Sequence, residues 1–268
     1  MSLFSHILFA LAVLFAWTGA ASLLLRMPPL LGALWVCVLI ALFLGYVARR
    51  AGTESRFRPA LDNVPLSRIP LPALAFAMIA VSVFYVVFQA YYFQLMPPRA
   101  ATPSALELYA RQPLGWIPRV LAAVILAPIV EEFAFRGWIL RSFERKAETI
   151  AALVMSAILF AALHLKVWDA PFHMVSGLLF GIVVIRTRSV WAGILVHVTA
   201  NGTGKALSAL AGEGVQPDRW LDVIGVPAAA QPVLAVCAVV ALTVSLSRLR
   251  ARASSPSSPA SELALAHR

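Results

Sequence analysis

The stretch Ile117-Pro118-Arg119-Val120-Leu121-Ala122-Ala123-Val124-Ile125-Leu126-Ala127-Pro128-Ile129-Val130-Glu131-Glu132-Phe133-Ala134-Phe135-Arg136 decides the fold. From Ile117 to Val130 it holds no acid, and only Pro118, Arg119 and Pro128 break the apolar run. Glu131 and Glu132 then stand side by side, with Arg136 one helical turn after Glu132, where hydrocarbon-facing helix should still be running. Ionisable groups at membrane depth are costly and mark functional positions. The rest of the chain reads as scaffold and partners for these carboxylates.

The composition agrees. The 268 residues are 61% hydrophobic and 13% charged, with a mean hydropathy of +0.84, whereas a soluble domain is about half apolar and about a quarter charged. The expected fold is all-α, a polytopic transmembrane helix bundle. A formal charge of +10 raises the question of nucleic acid. The basic residues are scattered between apolar runs, however, with no basic stripe joined to an aromatic platform, so no nucleic-acid partner is expected. Cys37 and Cys237 lie within apolar runs and read as small packing or lipid-facing residues rather than a disulfide.

Apolar runs near 3–25, 30–48, 71–95, 118–140, 149–166, 171–186, 190–210 and 230–247 approach the roughly 17–25 residues a spanning helix needs, giving about eight spans, of which 171–186 is marginally short. The first run lacks a basic leading segment and is followed at once by another span, so it reads as a retained helix, not a signal peptide. With eight spans, the basic residues of loop 49–70, those after the fourth and sixth runs and those after the last all fall on one side. Of the chain's 22 Lys and Arg, seven (Arg26, Arg99, Arg111, Arg119, Lys166, Lys205 and Arg219) lie near the other side. The positive-inside rule then places both termini in the cytoplasm.

Four regions are expected: residues 1–114, with about three transmembrane helices and a cytoplasmic loop at 49–70; a membrane core at 115–210; an outer loop and last helix at 211–250; and a disordered cytoplasmic tail at 251–268. In the outer connection 99–117, Ser104 and Glu107 are spaced as a capping box. Residues 211–229, Gly/Pro-rich and acidic, read as loop.

Within the spans the ionisable residues are few: Glu131, Glu132 and Arg136 in the fourth, His164 in the fifth, His173 at the outer end of the sixth and His197 in the seventh, with Asn201 one turn beyond His197. At the helical rise, Glu131, His164 and His197 lie roughly 18, 22 and 12 Å from the inner ends of their helices, straddling the middle of a ~30 Å core. A carboxylate in such a site is a general base toward water, a histidine opposite shares or donates the proton, and a histidine with an amide one turn on can stabilise an oxyanion. Arg136 would neutralise Glu132. Taken singly, each residue has an ordinary packing or ion-pair reading; jointly they fit acyl-bond hydrolysis.

In order, Glu131-Glu132-x-x-x-Arg136, Phe160-x-x-x-His164 and His197-x-x-x-Asn201 resemble the CPBP family, the CAAX proteases and bacteriocin-processing enzymes also called Abi, relatives of the type II CAAX prenyl protease. Pro128-Ile129-Val130 before the acids and Arg136-Gly137-Trp138 after them are similar to the family's surroundings, and the likeness covers roughly 115–205. It implies an intramembrane endopeptidase acting on a peptide or membrane protein in the lipid bilayer, with Glu131 activating water alongside His164, Glu132 and Arg136 in support, and His197 and Asn201 at the oxyanion. The family carries a metalloprotease label. No H-E-x-x-H is present, zinc held by Glu and two His from separate helices is chemically open, and a metal-free glutamate mechanism is slightly favoured. A serine protease of the rhomboid type is disfavoured, since Ser176-Gly177 has Met174 in place of the leading Gly, and no Asp is deep enough for an aspartyl enzyme. The different-class alternative is a proton- or cation-coupled transporter, or a non-catalytic immunity protein. With 19 Arg against 3 Lys, the composition points to a bacterial inner membrane. Substrate identity and oligomeric state are not encoded in these motifs.

Overall fold

A computed structural model describes residues 3–51, 65–96, 111, 113–164, 167–212 and 215–249. The capping-box pair Ser104/Glu107, most of loop 49–70 and the tail 251–268 fall outside the described residues. Among the described residues every regular element is helical. Eight principal helices correspond to the eight apolar runs: α1 (Leu3–Ser22), α2 (Pro29–Ala51), α3 (Leu71–Gln94), α4 (residues 116–144), α5 (Thr149–Leu163), α6 (Ala170–Thr187), α7 (Val190–Ala211) and α8 (Gln231–Arg248). Four stretches are long and apolar enough to cross a bilayer by length and composition: Pro29–Arg49, Leu71–Gln94, Val167–Thr187 and Ala228–Arg248. The chain is an integral membrane protein.

The middle of the bundle is α4, which packs against α1, α2, α5, α6 and α7. Its wall includes Phe133, Ala134, Phe135, Trp138, Ile139 and Leu140, all essentially without solvent exposure. It is not a uniform α-helix. Two stretches, Leu121–Leu126 and Phe133–Leu140, wind in the wider i→i+5 register on either side of Ala127–Glu132. Such turns are uncommon and concentrate at functional sites. Pro128 gives a local cause, because it has no N–H to continue the ladder. The acid pair therefore sits at the end of a short regular segment between two irregular ones.

Around this hub, α6 packs along α5, and α3 packs on α7 and α8. In lipid, helices associate through close packing rather than transfer out of water, so small residues matter at crossings. The α5–α6 crossing uses Gly177-x-x-x-Gly181: a Cβ on Gly177 would lie 3.1 Å from Ala157 Cα. On the basic side of the bundle, Arg188 approaches Glu144 at 3.8 Å, and Arg186 donates to the Ser247 carbonyl at 2.8 Å, so the basic ends of α4, α6 and α8 converge. Cys37 and Cys237 are unpaired and exposed on α2 and α8.

Three expectations shift. The marginal sixth run is a full helix, lengthened at its start by the turn Val167–Asp169. The fifth helix ends sooner, at Leu163, and His164 is its C-terminal cap. Its 15 residues reach about 22 Å, short of a ~30 Å core, and His164 stands at its C-terminal end. Residues 211–229, read as loop from their Gly, Pro and acidic content, instead carry helical turns at Pro217–Arg219, Trp220–Val223 and Ala228–Ala230. The reason is Trp220-Leu221, an apolar pair hidden in that composition, which is buried against Val86, Val87 and Ala90 of α3.

Candidate active site

Glu131 and Glu132 are consecutive, so on a helix they project about 100° apart. The bundle treats them differently. Glu132 is completely buried, whereas the Glu131 side chain keeps 22% of its surface accessible. Glu132 is thus sealed within the bundle, and Glu131 keeps an accessible face.

The buried carboxylate is held from two helices. His197 of α7 places Nδ1 2.9 Å from Glu132 Oε1, and Arg136 places Nη1 3.0 Å from the same oxygen. The arginine contact is a close approach of charges rather than an aligned hydrogen bond. The aligned bond runs from Arg136 Nη2 to the Gly177 carbonyl of α6, at 2.9 Å. Aromatic faces close the shell: Arg136 Cζ lies 4.6 Å from the Phe160 ring centroid, within cation–π range, and Phe180 stacks on His197 at 4.1 Å with 22° between planes. A charge this deep is tolerable only when paired and hydrogen-bonded.

His197 joins the two acids. With Nδ1 on Glu132, its Nε2 faces Glu131 Oε2 at 3.9 Å, beyond hydrogen-bond length but within ion-pair reach. His164 arrives through aromatic contacts. Its Nδ1–H donates to the Phe160 carbonyl at 2.8 Å, which leaves Nε2 as the open nitrogen. Its ring lies 4.7 Å from Phe160, which also meets the His197 ring at 6.0 Å. Asn201, grouped with His197 by spacing, donates from Nδ2 to the Ala123 carbonyl of α4 at 3.2 Å. The structure thus brings Glu131, Glu132, Arg136 and His197 into direct contact, joins His164 to them across Phe160, and ties Asn201 to α4 two turns before the acids.

Several participants escaped the sequence reading. The Gly177 carbonyl carried no signal except the G-x-x-x-G spacing. His173, read as an end-of-helix residue, stacks on His164 with centroids 3.7 Å apart. Tyr85 of α3 interacts electrostatically with Glu131, and nothing in its local sequence marks it. Gly193 lets α7 approach the acids: a Cβ there would sit 2.5 Å from Val184 Cγ2 and 3.0 Å from Glu132 Oε2. Gly193→Ala is expected to displace Glu132 and destabilise the fold by about 1–3 kcal/mol. A lowered unfolding midpoint in detergent would show it; an unchanged midpoint with unchanged activity would not fit so tight a contact.

The residues do not fit a zinc centre. Among the described residues no three His, Cys, Asp or Glu side chains are gathered as metal ligands. Glu132 Oε1 is already taken by Arg136 and His197, and a guanidinium at that oxygen opposes a second cation.

Residues 113–203 match the family described as "Type II CAAX prenyl endopeptidase Rce1-like". A protein of Bacillus subtilis (strain 168) described as "Putative membrane peptidase YdiL" is 25% identical over 100 residues. That alignment covers 37% of this chain and 39% of the relative, so the chain spans well under half of the curated relative it matches. No solved structure matches significantly. The matched segment holds both acids, the buried arginine, both motif histidines and Asn201, and over it this chain is similar to the CAAX-type membrane endopeptidases.

Proposed function

We propose that the chain is an intramembrane endopeptidase that hydrolyses a peptide bond in a membrane-embedded or lipid-anchored peptide or protein, with Glu131 activating the water. The observation that carries this reading is the split between the acids: one carboxylate is sealed by Arg136 and His197, and its neighbour is left accessible beside a histidine nitrogen. A base must be reachable by its proton source, and Glu131 is.

The water's proton passes to Glu131 as its oxygen bonds to the scissile carbonyl carbon. His197 donates Nδ1–H to Glu132, and as the doubly protonated imidazolium it also donates Nε2–H to the developing oxyanion. The C–N bond then breaks, and the proton held at Glu131 goes to the departing amine, with His164 Nε2 sharing it. Glu132 and Arg136 hold His197 and the α4 backbone in place. Both termini would lie in the cytoplasm, in a bacterial inner membrane.

The test uses purified full-length protein in detergent with a quenched peptide or a single-span membrane substrate. His164→Ala is expected to lower the cleavage rate by about 100-fold or more while leaving folding unchanged, and wild-type activity should survive chelation with no stoichiometric zinc bound. Uptake of an ion or solute without peptide-bond cleavage would replace this reading with a transporter. Loss of activity on chelation, restored by zinc, would overturn the metal-free mechanism.

A further inference from the structure

The backbone of α4 has a break in its ladder just before the acids. The Ala127 N–H reaches back five residues to the Ala122 carbonyl. The next bond in that register would run from residue 128 to the Ala123 carbonyl, and residue 128 is proline, which has no N–H. The alternative i→i+4 donor for Ala123 would be Ala127, already engaged with Ala122. Ala123 O thus loses both helical donors, in a setting where an unsatisfied carbonyl is costly. Its donor comes from another helix: Asn201 Nδ2, at 3.2 Å.

We propose that Asn201 is a positioning residue whose carboxamide stands in for the donor that Pro128 lacks. The bond fixes the register of α4 on α7. His197 lies one turn before Asn201, and its Nδ1 meets Glu132 on the same two helices. α7 therefore grips α4 at two points, Ala123 and Glu132, and Glu131 is carried on the segment between and beside them. Releasing the first grip lets Ala127–Glu132 shift and moves Glu131 away from His197 Nε2. The role in catalysis rests on the peptidase reading above; the pairing of Asn201 with Pro128 does not.

Pro128→Ala returns an N–H to the backbone, so it should make Asn201 dispensable. Four full-length proteins form the cycle: wild type, Pro128→Ala, Asn201→Leu and the double variant. Asn201→Leu alone is expected to lower kcat about tenfold or more, as small misplacements in a catalytic site do, with KM little changed. Adding Pro128→Ala should recover most of that loss. If Asn201→Leu is equally damaging with and without Pro128, the amide acts on the reacting atoms and the proposal is overturned. Unfolding midpoints of the same four proteins, measured without substrate, decide the pairing even if no substrate is cleaved. A large drop for Asn201→Leu that shrinks in the Pro128→Ala background supports it, and equal drops overturn it.

Discussion

Glu131→Gln is expected to abolish peptide-bond cleavage, by roughly 10³-fold within the usual range for losing a general base, while the purified protein keeps its wild-type unfolding midpoint. The substitution keeps size and shape and removes only the capacity to take a proton. Little stability is at stake, because the Glu131 side chain is 22% accessible and the nearest ion-pair partner, His197 Nε2, is 3.9 Å away, beyond hydrogen-bond length. Glu132→Gln should show the opposite balance. That carboxylate is sealed, lies 2.9 Å from His197 and 3.0 Å from Arg136, and neutralising it leaves Arg136 buried without its counter-charge. The midpoint should fall, and activity should fall with it through misplacement of His197. Two adjacent and chemically identical residues would thus separate into a kinetic and a structural phenotype. Full hydrolytic activity in Glu131→Gln would end the mechanism proposed here.

Much of the architecture was legible in the sequence, for a physical reason. Crossing lipid requires every backbone polar group to be satisfied within the segment, so apolar runs can only be helices, and the eight runs became α1 to α8. Composition misled where it averaged over a few large side chains: Trp220-Leu221 ordered a segment whose Gly, Pro and acids read as loop. The site was legible to the extent that it is helical periodicity. Glu132 with Arg136, Phe160 with His164, and His197 with Asn201 each share a face at i,i+4. What periodicity does not carry is which face meets which. His197 and Glu132 are 65 residues apart in the chain, and nothing local says that the histidine would grip the inner acid more closely than the outer one. Nor does spacing show that Asn201 reaches the Ala123 carbonyl while His197 reaches Glu132, because both contacts depend on the register of α4, which Pro128 and the widened turns displace from a regular helix.

Arg136 supplies the largest expected structural effect. It is completely buried, touches Glu132 and the Gly177 carbonyl, and lies over the Phe160 ring. Removing one partner of a buried ion pair typically costs about 3–5 kcal/mol, because the other charge is left without compensation. Arg136→Met is therefore expected to lower the unfolding midpoint sharply and to leave little monodisperse protein after size exclusion in detergent. His197 limits the damage, since its Nδ1 lies on the same Glu132 oxygen. Arg136→Lys should rescue poorly: a single ammonium is a point charge and cannot span Glu132, Gly177 and the aromatic face as the planar guanidinium does. The informative variant is the double Glu132→Gln/Arg136→Met, which removes both charges. Replacing a whole buried pair is often neutral for stability, so the double variant should melt well above Arg136→Met alone. Cleavage should stay low, because His197 has lost the carboxylate that orients it toward Glu131. If Arg136→Met melts with the wild type, or if the double variant regains activity along with stability, the pair is not the brace that positions the site.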